Sequence, residues 1–240
     1  MSAPVPYPAW RLETLGERCL MVAFPSTVDP AVNVAVHALA AALEPALPAN
    51  CELVPAFSSL AIHWRPVPER DDPDWANSLS TQLQRLLAAG YQTTADSGRE
   101  VTIPVCYGGD YGPDLAAVAA ACGLTPDAVI ARHAASPHRV YMLGFTPGFP
   151  YLGGLDPALA LPRRATPRVS VPAGSVAIAR EQSGIYTLDS PGGWHLLGRT
   201  PLALFTPQAA SPCLLRPGDR VRFVPITPAG FTALAAGDAR

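Results

Sequence analysis

RVYMLGFTPGFPYLGGL, residues 139–155, opens as a strand and then changes character. Arg139–Phe145 carries the β-branched and aromatic residues that suit a pleated surface. From Gly144 to Leu155 there follow four glycines, two prolines, two phenylalanines and a tyrosine. Proline and glycine at this density exclude a helix, and a strand interior should not carry them either. The expectation is a shaped loop that holds ring faces where other residue types could not. Such a loop is either a packing device or the wall of a site, and we favour the wall.

Outward from this stretch, the C-terminal sequence keeps one texture. RVSVPA, SVAIAR, GIYTL, HLLG, LALF and RVRFVPI are short apolar runs parted by Gly/Pro turns. Evenly spaced short strands without long helices predict a barrel or sandwich. Upstream, VTIPVC reads as the first strand, followed by a brief helical insert. Pro113-Asp114 opens one short helix that ends at Gly123, and Thr125-Pro126-Asp127 opens the next. Residues 96–240 therefore form a mainly-β domain. Residues 1–95 read differently: a hairpin turning at Gly16, a helix capped by Asp29 with Pro30 in its first turn, two short strands (CELVPAF, SSLAIHW), and a second Asp-Pro helix start at Asp72-Pro73 that stops at Gly90. This is a small α+β domain, expected to be ferredoxin-like. The boundary falls in the polar, unpatterned TTADSGRE, residues 93–100.

With 240 residues, about half of them apolar, the chain has room for one or two real cores. Its net charge of −2 gives no reason to expect nucleic acid or an acidic membrane surface as a partner. The N-terminus lacks the basic start and apolar run of a secretory signal, and no apolar stretch is long enough to span a bilayer. The five cysteines are scattered and never in C-x-x-C, so we expect neither a disulfide framework nor structural zinc, and a reducing cytoplasm. All 17 basic residues are arginine. A Walker A lysine, a Schiff-base lysine and a biotin-bearing lysine are thereby excluded. Any ATP must be handled through arginine, backbone N–H groups or another chain.

G-x-S-x-G, H-E-x-x-H and G-x-G-x-x-G signatures are absent. His133 and His138, five apart, do not have the spacing of ligands on one helical face, and no metal is expected. His133 suits the last turn of a helix through the dipole, yet it precedes the aromatic loop by one strand and is kept as a catalytic candidate. Cys106 reads as an inert strand cysteine. Arginine gives the stronger signal: PRRATPR holds Arg163, Arg164 and Arg168, and LGRTP adds Arg199. Guanidinium forks match carboxylates and phosphates, at about 1.5–3 kcal/mol for a charge-assisted hydrogen bond; the bland alternative is a solvated basic turn. In SPGGWHLLGRT, Pro191-Gly192 makes a turn, Gly193 would admit a ligand's close approach, and Trp194 offers a flat apolar face. Together these predict a pocket for a small carboxylate or amide-containing acid. Arg164, Arg199 and His133 are its catalytic candidates. Phe145, Pro147, Gly148, Phe149, Tyr151, Arg163, Arg168, Gly192, Gly193, Trp194 and Thr200 would bind substrate.

Five segments in order, IPVCYGGDYGPDL, YMLGFTPGFPYLGGLD, LPRRATPRVSVPAGSVAIA, SPGGWHLLGRTP and LRPGDRVRF, resemble the KipI / allophanate hydrolase subunit 1 family, whose members are regarded as the B-type subunit of bacterial 5-oxoprolinase. The resemblance covers nearly the whole chain. It implies a cyclophilin-like β-barrel in the C-terminal domain and a cytoplasmic protein that is active only in a hetero-oligomer. The implied partners are a KipA-like protein (allophanate hydrolase subunit 2, the C-type subunit) and a LamB/YcsF-type protein (the A-type subunit). With them the complex would open 5-oxoproline to glutamate, with ATP as co-substrate together with Mg. It leaves two alternatives, a carboxyltransferase-type component of a urea carboxylase or allophanate pathway and an inhibitor of a histidine kinase. The chain departs from the family's pattern at His195, where Asn is expected, and at Thr187, where Pro is expected; both flank the predicted pocket.

Overall fold

Gly16 supplies a φ of 68° at the first turn, and in a computed structural model describing residues 4–25, 29–65, 75–92 and 98–237 the flanking segments pair as an antiparallel hairpin. β1 spans Arg11–Thr14 and β2 Cys19–Ala23. Helix α1 (Pro30–Leu43) begins as its Asp-Pro start predicts: the Asp29 carboxylate accepts the Ala31 N–H at 2.7 Å. β3 (Cys51–Pro55), β4 (Ser59–Trp64) and α2 (Trp75–Ala89) follow. The expected helix start at Asp72-Pro73 lies outside the described residues, as does 93–97 of the polar boundary segment. The chain divides into two compact units, Met1–Ser97 and Gly98–Arg240.

In the first unit the strand order is β1-β2-β4-β3, antiparallel throughout. Val36, Leu39 and Leu43 of α1 and Leu79, Leu83 and Leu87 of α2 share a core with Leu20, Val22, Leu60 and Ile62 of the sheet. The described element order is ββαββα, whereas a ferredoxin-like unit runs βαββαβ. The Gly16 turn is the cause of the shifted order: it places two strands before the first helix, while α1 still connects the parallel strands β2 and β3 across β4.

The second unit holds β5 (Glu100–Tyr107), α3 (Leu115–Cys122), α4 (Pro126–Ala135), β6 (His138–Leu143), β7 (Pro150–Gly153), β8 (Arg168–Val171), β9 (Ser175–Ala179), β10 (Gln182–Ile185), β11 (Ser190–Gly192), β12 (His195–Arg199), β13 (Arg220–Ile226) and α5 (Pro228–Gly237). Seven strands close a barrel in the order β10-β7-β6-β13-β5-β12-β9, while β8 and β11 form a separate ribbon. This agrees with the barrel that the resemblance implies. Side chains alternate through its wall. Val105, Val140, Leu152, Val176, Ile185, Val221 and Phe223 fill the interior; Ala177, Ala179 and Leu196 face outward. Among the described residues no single helix is long and apolar enough to cross a membrane.

Two local expectations change. A third of the Gly/Pro-rich stretch is strand, since β7 pairs with both β6 and β10. Pro150 is tolerated as the first residue of the strand, and Gly153 is needed because a Cβ there would lie 2.0 Å from Cζ of Tyr141. LALF, conversely, is not a strand: Phe205 makes one isolated bridge to Cys213, and Leu204 is buried against the barrel interior.

Candidate active site

The outer face of β9 and β10 is built from small residues. Ala177, Ala179 and Gly184 leave a depression that aromatic rings fill; a Cβ at Gly184 would sit 2.7 Å from Phe149 and 3.0 Å from Trp194. Phe149 is the hub, edge-on to Tyr151 (centroids 4.9 Å apart), Tyr186 (5.3 Å) and Trp194 (5.8 Å). Such pairs contribute about 0.5–1.5 kcal/mol each beyond area burial. Phe149 and Trp194 are buried, whereas Phe145, 5.5 Å from Phe149 and 6.4 Å from Tyr186, is 61% exposed. Its φ is 66°, a left-handed conformation that costs a residue with a Cβ about 1–2 kcal/mol. The loop is fixed beneath it. Gly144 N–H donates to the Phe149 carbonyl at 3.1 Å and Phe149 N–H to the Thr146 carbonyl at 3.0 Å. The Thr187 hydroxyl donates to the Pro147 carbonyl at 2.8 Å, so Thr146 donates in the 3.1 Å contact between the two threonines. Gly148, at φ 74°, packs against Phe205 and Cys213. The aromatic set is thus a packed cluster with one exposed ring, held by a strained loop.

Gly192 and Gly193 have different reasons. A Cβ on Gly192 would lie 2.2 Å from Oη of Tyr186, so this glycine lets the phenol pass. On Gly193 it would find nothing closer than Pro167 at 3.6 Å. Room for an approaching ligand is therefore present at Gly193 and not at Gly192.

The arginines separate into three roles. Asp114, expected to open α3, makes no side-chain cap to it; its buried carboxylate turns to the loop before β8. Oδ1 accepts Arg164 Nη1 at 2.9 Å and Arg168 Nη2 at 2.7 Å; Oδ2 accepts Arg168 Nη1 and the Leu196 N–H, each at 2.8 Å. Burial would raise this carboxyl's pKa. The hydrogen bonds from Arg168 and Leu196 and the charges of Arg168 and Arg164 outweigh burial and hold it below its ordinary value. Arg199 projects from the outer face opposite Ser175 and Cys106, and its Nε donates to the Ala173 carbonyl at 2.8 Å. It stands two strand spacings, roughly 10 Å, from the Tyr186 backbone. Thr200 beside it is buried, its N–H donating to the Gly174 carbonyl at 2.9 Å and its Oγ1 accepting from Leu202 N–H at 3.3 Å. Arg163 is exposed, and its charge reaches Tyr151 and Tyr186. Burial raises both phenol pKa values, with Arg163 opposing, so both hydroxyls are protonated donors at neutral pH.

His133 lies on the other side of the barrel wall. Its Nδ1 is 2.8 Å from the Tyr107 hydroxyl and its Nε2 3.0 Å from Oγ of Ser183, the inward neighbour of outward-facing Gly184. His138 donates from Nε2 to the His133 carbonyl at 2.9 Å. Burial drives both imidazoles to low pKa, His138 to about 4, and both are neutral at pH 7. Proximity in sequence misleads here, because one strand separates inside from outside. Cys106 is buried and its thiol is pushed up by that burial. Among the described residues no group of three or more His, Cys, Asp or Glu could hold a metal ion. Asp114, Tyr186 and Tyr107 carry no signal in the sequence: an acid after Pro113 reads as a helix start, and the two tyrosines read as strand residues.

A closed barrel bearing an aromatic, arginine-rimmed outer face sets the class of this protein. Residues 10–215 match the carboxyltransferase domain, subdomain C and D, and the chain belongs to that family. Among curated relatives, the 5-oxoprolinase B-type subunit of Bacillus subtilis (strain 168) is 42% identical over 231 residues, which is 93% of this chain and 96% of that protein. The protein of the same name from Escherichia coli O157:H7 is 58% identical over 127 residues, 53% of this chain and 58% of its own length. Among solved structures, TTHA0988 superposes with a TM-score of 0.74 at 42% identity. That alignment covers 87% of this chain and 40% of TTHA0988, so this chain spans about two fifths of the longer one.

Proposed function

We propose that this chain is a 5-oxoprolinase subunit of the B type. The observation that carries the reading is its near end-to-end similarity to the Bacillus subtilis protein of that name. It serves an ATP-dependent hydrolase that converts 5-oxo-L-proline, ATP and water to L-glutamate, ADP and phosphate. The substrate is a small lactam with one carboxylate, which suits an apolar ring face beside an unpaired guanidinium. Activation of the lactam oxygen by ATP develops negative charge, and with no lysine in the chain its own contribution to stabilising that charge comes from arginine and backbone N–H groups. Arg199, charged and a short way along the same barrel face, is the candidate for that role, and Mg accompanies the nucleotide.

The protein works only in an assembly. The exposed Phe145 ring and the open approach at Gly193 form a face, not an enclosed cavity, and catalysis of this kind needs water excluded. The length of TTHA0988 supports a companion polypeptide. We assign the covering role to a KipA-like protein, the C-type subunit, with a LamB/YcsF-type protein, the A-type subunit, completing a cytoplasmic enzyme. The test is genetic: in a bacterium lacking its own B-type subunit, expression of this chain should restore growth on 5-oxoproline as nitrogen source. Failure to complement, with the chain present as soluble protein, would count against the reading. The carboxyltransferase alternative keeps one support, the family description itself; it predicts instead a biotin-dependent carboxylation of urea by the assembled complex.

A further inference from the structure

Arg163 sits in a segment strapped down on both sides. Before it, His195 donates from Nε2 to the Pro162 carbonyl at 2.8 Å. After it, Arg164 N–H donates to the Gly193 carbonyl at 2.8 Å, and Arg168 pairs with Gly192 in the β8–β11 ribbon. Beneath, the Asp114 carboxylate takes both Arg164 and Arg168 and ties them to the Leu196 N–H. Residues 162–168 are thereby fixed to residues 192–196, the segment that carries Trp194. The backbone at Arg163 cannot swing away without breaking one of these ties, while its exposed side chain stays free to turn toward a ligand.

A carboxylate has about four acceptor positions, and Asp114 has all four filled. The acid buried against this loop therefore has none left for Arg163, which makes no hydrogen bond or ion pair among the described residues. Two arginines against one aspartate also leave one positive charge over, so the neighbourhood attracts an anion from outside. Of the ring cluster, Phe149, Tyr186 and Trp194 are buried, and the part open to a ligand near Arg163 is the partly exposed Tyr151 ring, which the Arg163 charge reaches.

We infer that Arg163 is the anchor for the substrate carboxylate, and that Asp114 is a positioning residue which presets it by holding Arg164 and Arg168. This rests on the 5-oxoprolinase reading and changes the roles within it: Arg164 and Arg168, expected to face substrate, form the strap. An oxyanion at Arg163 could belong to the lactam acid or to a nucleotide phosphate. The partly exposed Tyr151 ring favours the acid, which can lay its apolar ring there.

The experiment uses the assembled enzyme and measures KM for 5-oxoproline and for ATP separately. Arg163→Ala is expected to raise KM for 5-oxoproline about 10- to 100-fold, the equivalent of one charge-assisted pair, and to leave KM for ATP within about 2-fold. Arg163→Lys should recover part of the loss, because a point charge replaces a fork. With Asp114→Asn as background, Arg163→Ala should cost much less than it does alone, a coupling that an independent structural role would not give. A rise in KM for ATP alone would overturn the carboxylate assignment in favour of phosphate. No change in either KM, with Trp194 fluorescence as in the parent, would overturn the anchor altogether. A parent enzyme that assembles but never opens 5-oxoproline would instead overturn the functional reading beneath.

Discussion

Asp114→Asn removes one charge and almost no volume, so its cost isolates the carboxylate. The four donors around Asp114 divide two to each oxygen: Arg164 and Arg168 at Oδ1, Arg168 and Leu196 at Oδ2. An amide keeps one oxygen and places an NH₂ at the other. Whichever way it turns, two donors then face a donor. If the NH₂ replaces Oδ2, the buried Leu196 N–H and one guanidinium N–H lose their acceptor; if it replaces Oδ1, one N–H from each arginine does. An unsatisfied buried donor costs about 1–3 kcal/mol, and the arginine share is discounted because those side chains are 24–33% exposed. We expect a loss of about 3 kcal/mol for the barrel unit. Trp194 is the tryptophan of that unit, so urea titration with Trp10, Trp64 and Trp75 replaced by Phe reads it alone. The pH dependence has a definite sign. The Asp114 carboxyl is held low in the folded state, so its stabilisation is present above the unfolded value near pH 4 and is lost as pH falls through the lower folded value. The gap between parent and variant should therefore narrow in acid. A loss below about 1 kcal/mol at pH 7, or a gap that widens in acid, would refute the network.

Further outcomes follow from the same geometry. Gly192→Ala should displace the Tyr186 phenol and destabilise by about 1–3 kcal/mol, while Gly193→Ala should leave stability within about 0.5 kcal/mol and depress turnover; urea titration beside steady-state kinetics checks both. Phe145→Gly relieves a left-handed φ while deleting an exposed ring, so stability should move by less than about 1 kcal/mol and activity of the assembled enzyme should fall at least about 10-fold. His133 and His138 fold neutral with low pKa, so unfolding takes up protons below pH 6.5: each should remove about 1.4 kcal/mol per pH unit, from about 6.5 down to about 4 for His138. His138→Phe should lower that slope in urea titrations across this window; an unchanged slope would contradict the burial argument.

The parts of this molecule that follow local rules were legible. Asp29 and Thr125 cap their helices, Gly16, Gly90 and Gly123 end elements with positive φ, and apolar alternation marks most barrel strands. β7 was hidden because its Pro and Gly residues answer to tertiary facts, a strand start and the ring of Tyr141, that a local pattern does not carry. The ferredoxin-like expectation ignored what the Gly16 hairpin already implied about element order. At the site, the rings of Phe149, Tyr151 and Trp194 are visible in the sequence and do converge. Which arginine remains unpaired was not readable, because that depends on a carboxylate fifty residues away in sequence from Arg164. His133 misleads for the complementary reason: one strand apart in sequence can mean opposite sides of a barrel wall.

Glutamate formation from 5-oxoproline, followed with purified components omitted one at a time, is the decisive test of a B-type subunit role. ATP-dependent glutamate is expected only when this chain is present together with its two partner proteins, and none from this chain alone. Equal glutamate formation by the partners without it, under conditions where all three are folded, would contradict the claim.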